Sequence, residues 1–183
     1  MLINRNDVTL LLIDIQEKLI NKIHNYNDVV IVAKNLVEIF SDLDLSIVFS
    51  EQYPKGLGHT IESIQKRLRN SKAVKIEKTS FSCVSLKNDE EVRKNFATKQ
   101  ILICGIEAHI CVLQTAVDLH KKGYEVFVME EAVGSRSPNH KCLAFERLKT
   151  VGVTLINFEM FLFELIRDSN DKIFKDLSKY IIK

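Results

Sequence analysis

The chain has 183 residues, of which 46% are hydrophobic and 27% are charged, and its formal net charge is +2. This length and composition predict a single globular domain over residues 1–183. The basic residues are scattered rather than aligned, which argues against a nucleic-acid partner, and no segment approaches the ~20 apolar residues of a membrane-spanning helix. The first apolar run, residues 8–13, lacks a small-residue cleavage site, so we expect a strand there and not a signal peptide.

Apolar runs of a few residues alternate with longer amphipathic segments along the chain. The runs predict six strands, over residues 8–13, 45–49, 74–76, 101–104, 124–129 and 153–156. Helical spacing of apolar residues predicts helices over residues 28–41, 61–69, 89–97, 111–122, 138–150, 159–166 and 171–182. Gly123 is a C-terminal cap signal, and Ser137-Pro138 is typical of a helix start.

Alternation of helices with strands that are apolar on both faces is typical of a parallel sheet. We therefore predict an α/β, three-layer Rossmann-like fold, with a six-stranded parallel sheet and helices on both faces. Such folds bind ligands at the carboxyl ends of their strands, where the topology changes direction. No GxGxxG follows the first strand, which argues against a dinucleotide cofactor.

Three chemically reactive residue types fall at predicted strand ends. Asp14 follows the first strand, Lys78 follows the third, and Cys111 begins a helix after the fourth strand and a glycine-containing turn. A parallel sheet brings these positions to one edge, which suggests a catalytic triad. Because a helix N-terminus lowers a thiol pKa from ~8.5 toward roughly 3.5–7.5, we expect Cys111 to be the nucleophile.

The other cysteines are less distinctive. The four cysteines show no CxxC pair and no regular spacing, which argues against a zinc site or disulfide framework and favours a reducing compartment. We therefore expect a cytoplasmic protein. Cys104 and Cys142 are predicted to be core residues, and the role of Cys83 stays open.

Four sequence segments, in the right order and over nearly the whole chain, resemble the isochorismatase-like cysteine hydrolases. They are LIDIQ at 12–16, KTSF at 78–81, GIEAHICV at 105–112 and EEAVGSRS at 130–137. The segment SEQYPKGLG at 50–58 is similar to the branch that contains YcaC-type hydrolases and eukaryotic isochorismatase-domain-containing proteins. The resemblance implies a six-stranded parallel sheet, an Asp14–Lys78–Cys111 triad and a cis peptide bond between Ile106 and Glu107.

Two departures from related enzymes narrow the expected chemistry. True isochorismatases do not use a cysteine nucleophile, so Cys111 argues against vinyl-ether hydrolysis. Nicotinamidases carry an Asp/His/His metal cluster after the second strand, whereas this segment offers Ser50, Tyr53 and His59 without an Asp-x-His pattern. We therefore expect no metal and no other cofactor, and nicotinamide becomes a less favoured substrate.

The expected reaction is hydrolysis of a small-molecule C–N bond, amide or ureido, through an acyl-enzyme on Cys111. Asp14 would act as general acid and base, and Lys78 would stabilise the thiolate. Backbone N–H groups of Glu107 and Cys111 would hold the oxyanion, next to the cis bond after Ile106. The residues predicted to line the substrate pocket, from adjacency alone, are Gln16, Tyr53, Phe81 and Ile110.

Several alternatives stay open at this point. The chain could be a catalytically silent family member that acts as an oligomeric interaction protein. The apolar segment 158–166 fits either a homo-oligomer interface or ordinary packing on the sheet. His109, two residues before the thiol, is not expected to be catalytic, because side chains two apart do not face each other on a helix. Glu107, if it turns inward, needs a partner such as Arg136.

Overall fold

Six parallel strands form the central sheet. The computed structural model describes residues 1–69, 71–84 and 88–181. In chain order the strands are Val8–Ile13 (β1), Ser46–Gln52 (β2), Val74–Lys78 (β3), Gln100–Ile106 (β4), Glu125–Gly134 (β5) and Thr154–Ile156 (β6). Their order across the sheet is β3-β2-β1-β4-β5-β6, and every neighbouring pair is parallel. The predicted α/β fold with a six-stranded parallel sheet is therefore confirmed.

Helices connect the strands and close the chain. They are Glu17–Ile20 (α1), Tyr26–Asp42 (α2), Pro54–Leu57 (α3), Glu62–Leu68 (α4), Asp89–Asn95 (α5), Leu113–Lys121 (α6), Pro138–Thr150 (α7), Phe158–Ile166 (α8) and Ile173–Ser178 (α9). The short helices α1 and α3 and a 3₁₀ turn at Arg5–Asp7 have no counterpart in the sequence prediction. The helix predicted over 171–182 is shorter, and residue 182 lies outside the described residues.

Two apolar cores lie on opposite faces of the sheet, which makes three layers. All six residues of β1 are buried, and its apolar side chains are divided between the two cores. Leu10 and Leu12 pack with α2 and α8, whereas Leu11 and Ile13 pack with α6 and α7. Burying one such leucine contributes roughly 1.5–3 kcal/mol, so the central strand is a major source of stability. Its position also fixes where the functional side chains can meet.

The chain changes direction across the sheet between β1 and β4. It runs outward from β1 to β3 and then crosses back, so that β4 pairs with the other side of β1. This is the topological switch point at which α/β sheets form a ligand crevice. The carboxyl ends of β1, β3 and β4 therefore bring Asp14, Lys78 and the segment leading to Cys111 to one edge.

Gly105 permits the close approach of β1 and β4 at this edge. It pairs with Ile13, and its φ of 126° lies in a region that side chains rarely adopt. A Cβ atom at this position would overlap the backbone carbonyl of Ile13. Glycine is thus required where β1 leads to Asp14 and β4 leads towards Cys111.

Among the helices of residues 1–69, 71–84 and 88–181, none combines the length and apolar character that a membrane crossing requires.

Candidate active site

Asp14 is the first residue after β1 and is almost completely buried, with 1% of its surface exposed. Its φ of 52° turns the chain sharply at the strand end. Both carboxylate oxygens accept hydrogen bonds at 2.7 Å, Oδ1 from the Ser50 hydroxyl and Oδ2 from Lys78 Nζ. The carboxylate is therefore held in one orientation by two neighbouring strands.

Lys78 is the last residue of β3 and forms a buried ion pair with Asp14. Its ammonium also donates to Gln52 Oε1 at 2.7 Å and to the Phe81 carbonyl at 3.1 Å. Burial would lower the pKa of Lys78, but the charge of Asp14, its hydrogen bond and the nearby Cys83 and Cys111 together outweigh this effect, and the pKa lies above its ordinary value. Lys78 is therefore a protonated cation with three acceptors.

Cys111 lies in a π-helical turn, Ala108–Val112, that leads into α6. Only 7% of its surface is exposed. Burial raises the pKa of the Cys111 thiol to about 12, the charge of Asp14 adds to this effect, and Lys78 opposes it. The expected lowering of the thiol pKa is therefore wrong, because burial and the charge of Asp14 outweigh the charge of Lys78.

The segment between β4 and Cys111 has the cis peptide bond, between Ile106 and Glu107, that the family resemblance implies. The Glu107 carbonyl accepts hydrogen bonds from the N–H groups of Ile110 and Val112. The Glu107 side chain pairs with Arg136, with 2.8 Å between Oε2 and Nε. The structure thus contains the suggested Glu107–Arg136 pair.

His109 has partners other than the thiol. Its Nδ1 lies 3.0 Å from the buried Ser135 hydroxyl, and its ring centroid is 4.4 Å from that of His140. Burial lowers the pKa of His109, and the nearby His140 and Arg136 lower it further. These contacts suit a neutral imidazole that fastens the turn to α7.

The four residues expected to line the pocket have different surroundings. Gln16 is buried, and its amide bonds to backbone, donating to the carbonyls of Gln52 and Gly58 and accepting from the Gln52 N–H. Tyr53 and Phe81 are 55% and 54% exposed, and their backbones bond to Lys78. Ile110 is half-buried and packs on the core that contains Cys111. Gln16 is therefore placed to hold a loop, and the other three lie closer to solvent.

Sequence reasoning missed Ser50 and Gln52 as site residues. Ser50 holds Asp14, whereas Gln52 accepts from Lys78 and donates to the Thr79 carbonyl. Both lie at the end of β2, the strand between β1 and β3. The sequence indicated these residues in part. The carboxyl end of β2 lies at the same edge of the sheet as the ends of β1 and β3, so polar residues there are close to Asp14 and Lys78.

Glu51, also on β2, is a buried carboxylate whose hydrogen-bond partners are His59 and Thr60. Oε1 accepts from the N–H and hydroxyl of Thr60, and Oε2 lies 3.1 Å from His59 Nδ1. Burial would raise the pKa of Glu51, but these hydrogen bonds and the charge of Lys75 together outweigh this effect, and the pKa is lowered.

In the described parts of the chain, no group of three or more His, Cys, Asp or Glu side chains is arranged to hold a metal ion.

Comparison with known proteins places this geometry in a family. A model of the isochorismatase domain matches residues 8–160. Isochorismatase family protein 1A of Dictyostelium discoideum is 38% identical over 174 residues, which cover 94% of this chain and 84% of that protein.

Solved structures agree with this placement. A Caenorhabditis elegans protein described as MAR1 ribonuclease is 31% identical, with a TM-score of 0.91 over 100% of this chain and 93% of that one. YcaC of Escherichia coli, described as an octameric hydrolase of unknown specificity, has a TM-score of 0.85 at 19% identity, over 98% of this chain and 89% of that one. The second likeness concerns the fold alone. The chain therefore belongs to the isochorismatase domain family and has an α/β Rossmann-like fold with a six-stranded parallel sheet.

Proposed function

We propose that the protein is a cysteine hydrolase that cleaves an amide or ureido C–N bond of a small molecule. One observation carries the proposal: the buried Asp14–Lys78 pair, joined at 2.7 Å, lies close enough to Cys111 that both charges act on the thiol. A nucleophile, a base and a fixed cation are then present together. Membership of the isochorismatase domain family supports hydrolysis in general.

The first step follows from the protonation states. Because the pKa of Cys111 is raised to about 12, the thiol carries its proton at neutral pH and needs a base. Asp14 takes this proton as the sulfur attacks the carbonyl carbon, and Lys78 keeps the site electrically balanced. The N–H groups of Glu107 and Cys111 are the proposed donors to the oxyanion, and one such donor typically contributes 10²–10³ in rate.

The later steps return the same proton. Asp14 gives it to the leaving nitrogen, the C–N bond breaks, and the acyl group stays on the Cys111 sulfur as a thioester. Asp14 then takes a proton from water, which attacks the thioester. The C–S bond breaks, the acid leaves, and the proton passes from Asp14 to the Cys111 sulfur. No step in this sequence requires a metal or an organic cofactor.

The low exposure of Cys111 and Asp14 favours a small substrate, because a bulky macromolecule could not reach them. We propose that Tyr53, Phe81 and Ile110 contact the apolar part of the substrate. Gln16 would support the site through the loop that it holds.

We also propose that the protein works in the cytoplasm, since four free thiols suit a reducing compartment, and that it does so as a homo-oligomer.

The decisive experiment compares the unmodified protein with Cys111→Ala on a panel of amides and ureido compounds. RNA is included because the Caenorhabditis elegans relative is described as a ribonuclease. We expect release of ammonia or amine, and a thioester on Cys111 in rapidly quenched samples analysed by mass spectrometry. Cys111→Ala should lose turnover, by about 10⁴-fold or more, while keeping the native thermal transition.

Cys142→Ser is the matched control, because this cysteine is exposed on α7. It should leave turnover and acylation unchanged. Full turnover by Cys111→Ala would refute the assignment of the nucleophile. Cleavage of RNA that persists in Cys111→Ala would show a different chemistry at a different site.

A further inference from the structure

We propose that Cys83 and Cys111 form a redox pair, in which a hydroperoxide oxidises Cys111 and Cys83 captures the product as an intramolecular disulfide. The proposal goes beyond hydrolysis and rests on the proposed function only in taking Cys111 as the reactive thiol. It gives a role to a buried thiol that the hydrolytic steps do not use.

The backbone places Cys83 next to the helix turn that carries Cys111. Its N–H donates to the Thr115 hydroxyl at 3.0 Å. Thr115 is four residues after Cys111, and residues at this spacing are neighbours on one face of a helix, with about 5–6 Å between their Cβ atoms. Both cysteines are buried in the core on the same face of the sheet. Cys83 is therefore fixed beside the position of the nucleophile.

The two thiols also share one polar environment. Burial raises the pKa of Cys83 to about 11, while the charge of Lys78 opposes this effect and the Ser50 and Thr115 hydroxyls lie beside the sulfur. Ser50 and Lys78 are the two groups that hold Asp14. The same ammonium acts on Cys111, so both sulfurs lie around one ion pair.

The other cysteines lack this arrangement. Cys104 lies in the core on the opposite face of the sheet, and Cys142 is exposed on α7. Neither can meet Cys111 without a rearrangement of the fold. They serve as internal controls for any oxidation experiment.

The chemistry balances with a hydroperoxide as oxidant. Asp14 accepts the Cys111 proton, the sulfur attacks the outer peroxide oxygen, and the O–O bond breaks. This gives a sulfenic acid, and the leaving oxygen takes the proton from Asp14 and departs as water or an alcohol. The Cys83 sulfur then attacks the Cys111 sulfur and displaces hydroxide, which takes the Cys83 proton and leaves as water. Each peroxide accepts two electrons, and each pair of thiols gives one disulfide.

The test treats the intact protein with hydrogen peroxide and maps the products by peptide mass spectrometry without reduction. We expect a peptide joined through Cys83 and Cys111, lighter by two hydrogens, and recovery of both thiols with dithiothreitol. In Cys83→Ser and Cys83→Ala, Cys111 should accumulate as a sulfenic acid that reacts with dimedone, and then oxidise irreversibly. Cys104→Ser and Cys142→Ser should form the disulfide as the unmodified protein does.

A second measurement separates this proposal from the proposed function. Iodoacetamide labelling of the untreated protein above pH 9, where the raised pKa of Cys111 still allows reaction, reports whether Cys111 is reactive at all. Labelling of Cys111 without a Cys83–Cys111 disulfide after peroxide would overturn the redox pair and leave the hydrolase intact. A disulfide to Cys142 or between chains would overturn it as well. A Cys111 that neither labels nor oxidises would refute both proposals.

Discussion

Two opposite charges act on the Cys111 thiol, and each can be removed separately. The charge of Asp14 raises the pKa of this thiol and that of Lys78 lowers it. We therefore predict that Asp14→Asn lowers the pKa, whereas Lys78→Met raises it. Below the pKa, each unit changes the thiolate fraction about tenfold, so alkylation at a fixed pH should accelerate in Asp14→Asn and slow in Lys78→Met. The measurement is the pH dependence of iodoacetamide labelling, resolved by peptide.

The exposed Cys142 gives an internal standard in the same samples. In the unmodified protein, labelling of Cys111 should still rise above pH 9, because its pKa of about 12 lies well above that of a free thiol. Each variant leaves one buried charge without its partner, which costs roughly 3–5 kcal/mol, so thermal transitions must accompany the rates. Slower labelling in a folded Asp14→Asn protein would contradict the electrostatic prediction.

Single residues show where sequence reasoning stops. The identities and the common edge of Asp14, Lys78 and Cys111 follow from strand ends and motifs, and the structure brings them together. The core assignment of Cys142 was wrong, because the buried stripe of α7 runs through Ala144, Phe145 and Leu148 and leaves Cys142 on the outside. The pKa of Cys111 could not be predicted, because burial depends on packing from distant segments.

The junction of β1 and β4 depends on one small residue. Gly105→Ala places a Cβ against the Ile13 carbonyl at a φ of 126°. We predict a loss of about 3 kcal/mol or more in the free energy of unfolding, since backbone strain alone costs ~1–3 kcal/mol and the overlap adds to it. Urea denaturation followed by circular dichroism measures this loss.

Gly123→Ala is the matched control for this substitution. Gly123 also has a positive φ, of 86°, but the nearest atom to a Cβ there is the flexible Lys99 Nζ at 3.9 Å. The free energy of unfolding of this variant should fall by only about 1–2 kcal/mol, which is the cost of holding a residue with a side chain in the left-handed conformation. Equal losses for the two variants would show that close strand approach is not the cause.

At the scale of elements, the order of strands and helices was predictable but some boundaries were not. The prediction ended the fifth strand at residue 129, whereas β5 continues to Gly134. Its middle contains Glu130 and Glu131, which are exposed and break the apolar pattern. The strand resumes pairing with β4 after a register shift, which a period-two pattern cannot reveal.

The apolar segment at α8 illustrates a related ambiguity. Phe161, Leu162, Leu165 and Ile166 pack in the core, as the ordinary packing alternative requires. Met160 and Phe163 remain exposed at 48% and 47%. The sequence alone could not show which apolar residues of α8 face the core, because apolar residues lie on most sides of this helix.

For the whole molecule, we predict that α8 contributes to contact between copies of this chain. Exposed Met160 and Phe163 on one helix are suited to an apolar interface. Light scattering at micromolar concentration should give a mass above that of one chain, and Phe163→Lys should reduce it. Because Phe163 is exposed, this variant should keep its thermal transition in dilute solution. A monomeric unmodified protein would contradict the prediction.

Because β1 lies between β2 and β4, the reactive side chains at this edge of the sheet come from two separate halves of the chain. Residues 8–78 supply the carboxylate–ammonium pair, and residues 100–134 supply the thiol. Neither half alone contains both the buried ion pair and Cys111. Reactivity of Cys111 therefore reports the pairing of β1 with β4, and it can serve as a chemical probe of reassembly when the two halves are expressed as separate fragments.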